Sequence, residues 1–289
     1  MDGILNINKP KGYTSHDIVA IVRKKLGTKK VGHTGTLDPN ATGVLPICVG
    51  RGTKLASVIS GSNKTYRAVL ILGKTTSTLD ITGEVLSEKS VHVTRDEIEK
   101  AVYGFKGEIK QIPPMYSAIK VDGVRLYKLA RKEIEIERQP RDVTISHLQI
   151  LRFISETELE IEVTCSSGTY IRTLCADIGD KLGVGGIMGD LQRTESGGFF
   201  IEESKSLEEF DAGDLMAIDQ IFKNKVKLIV KPTGQKFLDN GNKLSLNFVQ
   251  NKEMITKEVP DYLVYNQAGK FYGVFEIEKD MLKPTIYTG

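Results

Sequence analysis

The chain has 289 residues, of which 40% are hydrophobic and 27% charged, and its formal net charge is +3. This composition suits an ordinary soluble protein of one large or two modest domains with enough residues to bury a core. No apolar run approaches a membrane span and the first residues lack a signal-peptide layout, so we expect a cytoplasmic protein. Three cysteines without CxxC spacing predict reduced thiols rather than a disulfide framework.

The charge is unevenly distributed along the chain. Residues 1–78 hold twelve Lys/Arg and three Asp/Glu, whereas residues 195–222 hold eight acids and one Lys. A basic field of this kind suggests a polyanionic partner such as nucleic acid. The alternative is a solvated basic face that has no partner.

The first third of the chain mixes strand and helix patterns. A strand is predicted at residues 3–8, followed by a helix over 15–26 for which Ser15 is the candidate N-cap. Strands are predicted at residues 45–49 and 65–72, and the dense aliphatic pattern of the second is typical of a central strand. A capping-box pattern at residues 94–97 predicts the start of another helix.

The rest of the chain continues this mixture. The sequence predicts a turn at Asp122-Gly123, a short basic helix over residues 125–132, and a half-exposed strand at 159–165. A turn at residues 166–168 leads into a helix whose apolar face includes Leu174 and Ile178. Because strands and helices do not alternate regularly, the predicted fold class is α+β around a mixed central sheet.

After residue 226 the pattern changes to short strand-like pieces separated by turns such as Asn240-Gly241. This pattern predicts a small all-β unit. We therefore expect two domains, residues 1–226 and 227–289.

One segment, residues 32–46, has neither a helical nor a strand period. It reads GHTGTLDPNATGVLP and holds three glycines and a single acid, Asp38. A constrained loop that carries a lone carboxylate is typical of a functional site. The alternative is that Asp38 only caps a turn, since Asp before Pro favours turn initiation.

This segment resembles the catalytic-aspartate motif of the TruB family of tRNA pseudouridine-55 synthases. Four other blocks match the family in the same order, and they are GILNINKPKG at 3–12, KTY at 64–66, QIPPMYSAIKVDGVRLYKLAR at 111–131 and SGTYIR at 167–172. The match covers roughly the first two thirds of the chain. The family usually carries Asp where this chain has Ser77, whereas Asp80 is kept. Residues 261–275 resemble the PUA module more weakly.

The resemblance implies a pseudouridine synthase fold with a C-terminal PUA-like RNA-binding domain. It implies an isomerase that converts uridine 55 in the T-loop of tRNA to pseudouridine, and that acts as a monomer with tRNA as its partner. The reaction breaks a C–N bond and closes a C–C bond without redox change, so no cofactor is implied. The four histidines are scattered and no Cys/His pair has ligand spacing, so we expect no metal.

The resemblance also assigns roles to residues of this sequence. The catalytic residues are Asp38, Tyr66 and Arg172, with the Arg172 guanidinium beside the Asp38 carboxylate and the Tyr66 ring stacked on the flipped base. Whether Asp38 attacks uracil C6, attacks sugar C1′ or removes a proton stays open. The alternatives are a surface position for Arg172 and core packing for Tyr66.

Substrate binding is assigned to His33, Lys64, Tyr170 and Leu191. His33 fills the gap left by the flipped base, and Tyr170 and Leu191 form pocket walls. A local hydrogen bond is the alternative for His33, and core packing is the alternative for the two walls. The family's RNA-clamping insertion falls near residues 125–141, where six Lys/Arg alternate with glutamates.

Two other functions remain open at this level. The chain could be a non-catalytic RNA-binding protein, but such a protein has no need for the set Asp38, Tyr66 and Arg172. It could also be a synthase for another RNA or one guided by a small RNA, which the short chain and the lack of basic tails disfavour.

Overall fold

The computed structural model describes residues 1–121, 123–222, 224–256 and 258–289; Asp122 of the predicted turn lies outside them. The strands up to residue 200 are β1 (Gly3–Lys9), β2 (Val31–His33), β3 (Thr42–Val49), β4 (Lys64–Leu72), β5 (Lys74–Thr76), β6 (Val85–Glu88), β7 (Gly107–Gln111), β8 (Lys120–Val121), β9 (Val124–Arg125), β10 (Arg141–Phe153), β11 (Glu158–Cys165), β12 (Gly186–Ser196) and β13 (Phe199–Phe200). The strands that follow are β14 (Lys227–Val230), β15 (Leu244–Ser245), β16 (Tyr262–Asn266), β17 (Phe271–Glu278) and β18 (Met281–Tyr287). The helices are α1 (Ser15–Leu26), α2 (Ala56–Gly61), α3 (Arg95–Tyr103), α4 (Leu126–Ala130), α5 (Ile171–Lys181) and α6 (Gln235–Asp239).

The larger sheet is mixed, as predicted, and it has nine strands among the described residues. Its main path runs β1-β3-β12-β4-β11-β10-β7, with β2 paired to β3 and β13 paired to β12. The pairing of β12 with β3 is parallel, and the other pairings of this sheet are antiparallel. Strand β12 therefore lies between β3 and β4, although β4 directly follows β3 along the chain.

Helix α1 has the predicted bounds but not the predicted cap. Thr14 is the N-cap, and its side chain and that of Asp17 form a reciprocal capping box. The Ser15 side chain instead turns inward, where it is 1% exposed. The apolar face of α1 packs with β1 and β3 in one of the hydrophobic clusters. The capping box predicted for α3 is present at Thr94.

A second cluster joins α3 and α5 to the centre of the sheet. Ile98 of α3 and Leu174 of α5 pack with Leu70 and Ile161 from β4 and β11. Leu37 belongs to the same cluster. The core therefore reaches the residue that immediately precedes Asp38.

The C-terminal part is built on a five-stranded sheet in the order β14-β16-β17-β18-β15, as the β pattern predicts, but it also contains the short helix α6 and is therefore not all-β. Leu263 and Val274 of this sheet pack with Ile4 and Val44 of the larger sheet in a third cluster. The division into two domains at residue 226 stays a prediction.

The basic helix predicted at 125–132 is shorter in the structure, since α4 spans Leu126–Ala130. No helix in the described ranges is both long and apolar enough to cross a membrane.

Candidate active site

Residues 34–41, hereafter the Asp38 segment, are held by hydrogen bonds along their whole length. Both the backbone N–H and the hydroxyl of Thr34 donate to the Pro46 carbonyl of β3. In the middle, the Leu37 N–H donates to Ser15 Oγ at 2.9 Å, and this hydroxyl faces the Leu37 carbonyl at 3.3 Å. The inward side chain of Ser15 thus connects α1 to the residue before Asp38.

The second half of the Asp38 segment is tied to β1 and the residues that follow it. The Pro39 carbonyl accepts hydrogen bonds from the Gly12 N–H at 2.9 Å and from Lys9 Nζ at 3.1 Å. The Ala41 N–H donates to the Asp38 carbonyl at 3.1 Å, which closes a turn. The backbone of Asp38 is therefore fixed while its side chain stays 38% exposed.

The structure brings Asp38 and Arg172 together in a two-pronged ion pair. Arg172 Nε lies 3.0 Å from Asp38 Oδ2, and Nη2 lies 3.4 Å from Oδ1. Arg172 occupies the first turn of α5, and its side chain is 6% exposed. A planar guanidinium that meets both carboxylate oxygens fixes the orientation of the carboxylate.

Arg172 is itself held in place by three other groups. Its Nη2 donates to the Tyr116 carbonyl at 2.9 Å, and its Nη1 donates to the Thr78 carbonyl at 3.2 Å. Asp80 Oδ2 lies 3.9 Å from Nη1. Ser77, the departure from the family pattern, accepts from the Glu84 N–H at 3.1 Å instead. The retained Asp80 is thus the acid of this loop that faces Arg172.

Tyr66 and Leu191 pack in one cluster with Leu37 and lie on neighbouring strands. Each is 8% exposed. Tyr66 of β4 is paired with Arg193 of β12, and Leu191 is paired with Ala68. Burial raises the pKa of the Tyr66 phenol, so the hydroxyl is protonated at neutral pH in the absence of substrate.

Tyr170 is held at the start of α5 through its backbone. Its N–H donates to Gln111 Oε1 at 2.7 Å, and Gln111 Nε2 donates to its carbonyl at 3.0 Å. Burial raises the pKa of the Tyr170 phenol. Arg172 follows two residues later, so the hydrogen bonds of Gln111 also fix the backbone position of Arg172.

His33 lies at the end of β2, immediately before the Asp38 segment. Its Nδ1 accepts from the Gly35 N–H at 3.3 Å, and its ring stands edge-on to that of His16 with 5.1 Å between the centroids. Burial, then the charges of His16 and Arg193, lower the pKa of His33. The imidazole is therefore neutral near pH 7, with its proton on Nε2.

Lys64 is 6% exposed. Its ammonium donates to the carbonyls of Ser60 at 2.8 Å and Ser62 at 2.6 Å, and burial lowers its pKa. Its side chain passes close to Gly35 of the Asp38 segment. Lys64 therefore packs against the Asp38 segment. A direct contact between its ammonium and the substrate stays a prediction.

Two buried cations near the Asp38 segment were not among the predicted site residues. Lys9 is fully buried, its Nζ donates to the carbonyls of Pro10, Tyr13 and Pro39, and burial lowers its pKa to about 8. Arg193 is 1% exposed. The GILNINKPKG block contains Lys9, whereas Arg193 lies outside the matched blocks, two residues after the predicted pocket residue Leu191. Among the described residues, no group of three or more His, Cys, Asp or Glu side chains could hold a metal ion.

Comparisons with known proteins identify the family of this chain. Residues 23–171 match the family model described as "TruB family pseudouridylate synthase (N terminal domain)", and residues 172–235 match "tRNA pseudouridylate synthase B C-terminal domain". A protein of Alkaliphilus oremlandii named tRNA pseudouridine synthase B is 50% identical over 270 residues, which cover 91% of this chain and 90% of that protein. Proteins of the same name from Clostridium kluyveri and Symbiobacterium thermophilum are 46% and 52% identical over 95% and 74% of this chain, and over 95% and 72% of their own lengths.

Solved structures with the same fold include the crystal structure of a Cbf5-Nop10-Gar1 complex. That chain aligns with a TM-score of 0.70 at 24% identity, over 98% of this chain and 79% of that chain. A structure of an H/ACA RNP bound to a substrate RNA containing 2′-deoxyuridine aligns with a TM-score of 0.71 at 22% identity, over 99% and 85% of the two chains. These likenesses confirm the predicted pseudouridine synthase fold with a PUA-like C-terminal part. Together with the sequence matches, they show that the chain belongs to the TruB family of pseudouridylate synthases.

Proposed function

We propose that this protein isomerises uridine 55 in the T-loop of tRNA to pseudouridine, without a cofactor. The observation that carries this proposal is the Asp38–Arg172 ion pair at 3.0 Å, set on a loop that is hydrogen-bonded to three other elements. Its support in the comparisons is the shared name and high identity of the relatives.

Asp38 supplies the reacting carboxylate. Its role as a nucleophile toward uracil C6 or sugar C1′, or as a base on the sugar, requires an ionised and correctly aimed side chain in each case. Arg172 orients the Asp38 carboxylate, because its guanidinium contacts both carboxylate oxygens and is itself hydrogen-bonded to two backbone carbonyls. A nucleophile held in a single orientation needs little reorganisation when substrate enters.

Tyr66, Leu191 and Tyr170 form the walls around the target base. Tyr66 stacks on the uracil and its hydroxyl takes the proton that C5 loses at the end of the reaction. His33 occupies the space that the flipped base leaves in the RNA. Extraction of a base costs a few kcal/mol, and this cost is lower for a loop nucleotide than for one in a duplex.

The RNA is bound by the basic surface of residues 1–78 and by the cations of residues 125–141. Residues 1–78, which contain the Asp38 segment, carry twelve Lys/Arg against three Asp/Glu. The C-terminal sheet adds contact area as a PUA-like domain covering residues 227–289, and residues 1–226 form the catalytic domain. We further propose that the protein is a monomer and acts in the cytoplasm, where its tRNA substrate is made.

The test is direct. Purified protein is incubated with an unmodified tRNA transcript, and pseudouridine is mapped by carbodiimide treatment and primer extension. We expect a single modified position in the T-loop, at residue 55, and none in a transcript with cytidine at that position. Tight binding of the transcript without conversion, or modification only at other positions, would reject the proposal.

A further inference from the structure

Arg193 is a buried cation with few partners. Its side chain is 1% exposed, and its Nε donates to the Val44 carbonyl at 2.7 Å. Nη2 is buried and has no hydrogen-bond partner among the described residues. Nor does any carboxylate in the described ranges lie within 4.0 Å of the guanidinium.

This arrangement is unfavourable for the resting protein. A buried charge without a counter-ion loses its hydration and gains little in return, and a buried donor without an acceptor costs about 1–3 kcal/mol. Structural arginines in protein interiors are normally paired for this reason. An unpaired one beside an active site is therefore placed for a partner that is absent or uncharged in the resting state.

The groups around Arg193 identify that partner. The ionisable side chains whose pKa values respond to its charge are Lys9, His33, Lys64 and Tyr66. Three of these are neutral or cationic in all their forms. Tyr66 alone in this set can become an anion, by loss of its phenolic proton.

The sheet places Tyr66 and Arg193 side by side. They are directly opposite each other in the antiparallel pairing of β4 with β12. Side chains at such positions project from the same face of a sheet, with Cβ atoms about 4.5–5.5 Å apart. The geometry therefore puts the guanidinium and the phenol in adjacent places beneath the Asp38 segment.

We propose that Arg193 is a positioning residue that stabilises the phenolate of Tyr66 when this residue acts as the base toward uracil C5. The proposal rests on the proposed function, and it adds a residue to the last step of that reaction. In this step the proton passes from C5 of the reattached uracil to the phenolate oxygen. The C–H electron pair forms the C5–C6 double bond while the π pair of the N1–C6 double bond moves to ring nitrogen N1. N1 takes up a proton from water, and the phenol returns its proton to solvent.

The other charged and titratable groups near Tyr66 do not provide this stabilisation. Burial raises the pKa of Tyr66, and the Cys165 thiol of β11 and the Asp38 carboxylate raise it further. The charge of Arg193 lowers it. Lys9 and Lys64 direct their ammonium groups to backbone carbonyls. Arg193 is therefore the cation that opposes the effect of burial on Tyr66.

The kinetic test uses Arg193→Met, Arg193→Lys, Tyr66→Phe and the double variant Tyr66→Phe/Arg193→Met. Loss of a general base lowers the rate by about 10²–10⁴-fold, so we expect Tyr66→Phe to lose at least about 10²-fold in kcat and Arg193→Met to lose about tenfold. KM should be unchanged, because the Arg193 side chain is only 1% exposed. Arg193→Lys should recover part of the loss. In the Tyr66→Phe background, Arg193→Met should have no further effect on kcat.

Arg152→Met is the matched control, since Arg152 lies outside the proposed RNA-binding regions, is 69% exposed and pairs with Glu160. It should keep kcat. Equal losses from Arg193→Met in the wild-type and Tyr66→Phe backgrounds would overturn the proposal, because Arg193 would then act independently of Tyr66. Thermal melting of Arg193→Met close to that of the parent would agree with the proposal, since replacement of an unpaired buried charge by an apolar side chain is not strongly destabilising.

A second measurement needs neither RNA nor activity. Trifluorotyrosine at position 66 has a more acidic phenol, and its ¹⁹F signal reports the phenolate fraction in an accessible pH range. We expect its titration to move to higher pH when Arg193 is replaced by Met or by the more conservative Gln, and to stay in place with Arg152→Met. An unchanged titration would overturn the assignment of Arg193 even if the wild-type protein modifies tRNA. A shifted titration in a protein that fails to modify tRNA would instead reject the proposed function alone.

Discussion

The Asp38 segment and residues 125–141, hereafter the basic insertion, are both largely irregular, yet they are held very differently. The Asp38 segment is bonded to β1, α1 and β3 through its backbone and to α5 through Asp38 itself. In the basic insertion, Leu126 is the one buried residue that the structure describes. Chemistry at a single bond needs fixed atoms, whereas a surface that meets a folded RNA benefits from adjustment. The Asp38 segment meets the first requirement and the basic insertion meets the second.

The largest effect should come from Asp38→Asn. This variant removes the reacting charge without changing the size of the side chain, and we expect pseudouridine formation to fall below detection. Binding of tRNA should stay within about tenfold, or 1.4 kcal/mol, because phosphate contacts do not depend on a carboxylate. Asp142→Asn is the matched control, since that acid is 83% exposed and pairs with Lys110 on the surface. Measurable turnover by the pure Asp38→Asn protein would contradict its assignment.

Arg172→Lys should have the next largest effect. Lysine keeps the charge but cannot meet both carboxylate oxygens and the Thr78 and Tyr116 carbonyls at once. A misplaced reacting group loses about 10²-fold in rate, and we expect that loss in kcat with KM unchanged. A higher KM with unchanged kcat would indicate that Arg172 contributes to RNA binding rather than to the orientation of the Asp38 carboxylate. Arg152→Lys is the matched control, because the Arg152 side chain is 69% exposed and pairs with Glu160.

Ser15→Ala tests whether the anchoring of the Asp38 segment matters. The change leaves the buried Leu37 N–H without its acceptor, which should lower the free energy of unfolding by about 1–3 kcal/mol. The rate should fall by about tenfold as the position of Asp38 loosens. Ser155→Ala removes a similar hydroxyl acceptor from the exposed β10–β11 turn and should change neither quantity much. A Ser15→Ala protein with full activity would show that the remaining contacts suffice.

Neutralisation of Arg125, Lys128 and Arg131 should have the smallest effect on chemistry. We expect KM to rise with kcat kept, and the log–log dependence of tRNA affinity on salt to lose about 0.7–0.9 in slope for each phosphate contact removed. Neutralisation of Glu133, Glu135 and Glu137 in the same basic insertion is the control with opposite sign, and it should strengthen binding at low salt. An unchanged slope in the cationic variant would place these contacts on residues 1–78.

Much of the fold followed from the sequence because local patterns agree with it. The alternation at residues 159–165 and the capping box at Thr94 correspond to β11 and α3. The N-cap of α1 was assigned wrongly to Ser15, because Ser and Thr are both favoured N-caps and Ser is the slightly better one in isolation. The choice depends on Leu37, whose backbone is in reach of Ser15 only in the folded chain.

Strand β12 and Arg193 were missed for a related reason. Two irregularities, between Met188 and Leu191 and between Arg193 and Glu195, interrupt the alternation by which a strand is recognised. A lone arginine in such a stretch is normally a surface residue, and only the neighbours on β3 and β4 bury this one. The resemblance supplied Asp38 and Arg172, but it could not supply a residue outside its motifs.

The position of β12 between β3 and β4 has a consequence for the order in which the protein is made. Strands β3 and β4 leave the ribosome more than a hundred residues before β12. Until then the edge of β4 that β12 covers has no partner, and the corresponding edge of β3 is paired only where β2 meets it. Pairings between distant parts of a chain form slowly, and open strand edges are prone to aggregation. Gly43 adds a strict requirement, because a Cβ there would lie 2.2 Å from the Arg193 carbonyl. The nascent chain therefore depends on a late strand, seated against one glycine, to complete its sheet and its catalytic pocket together.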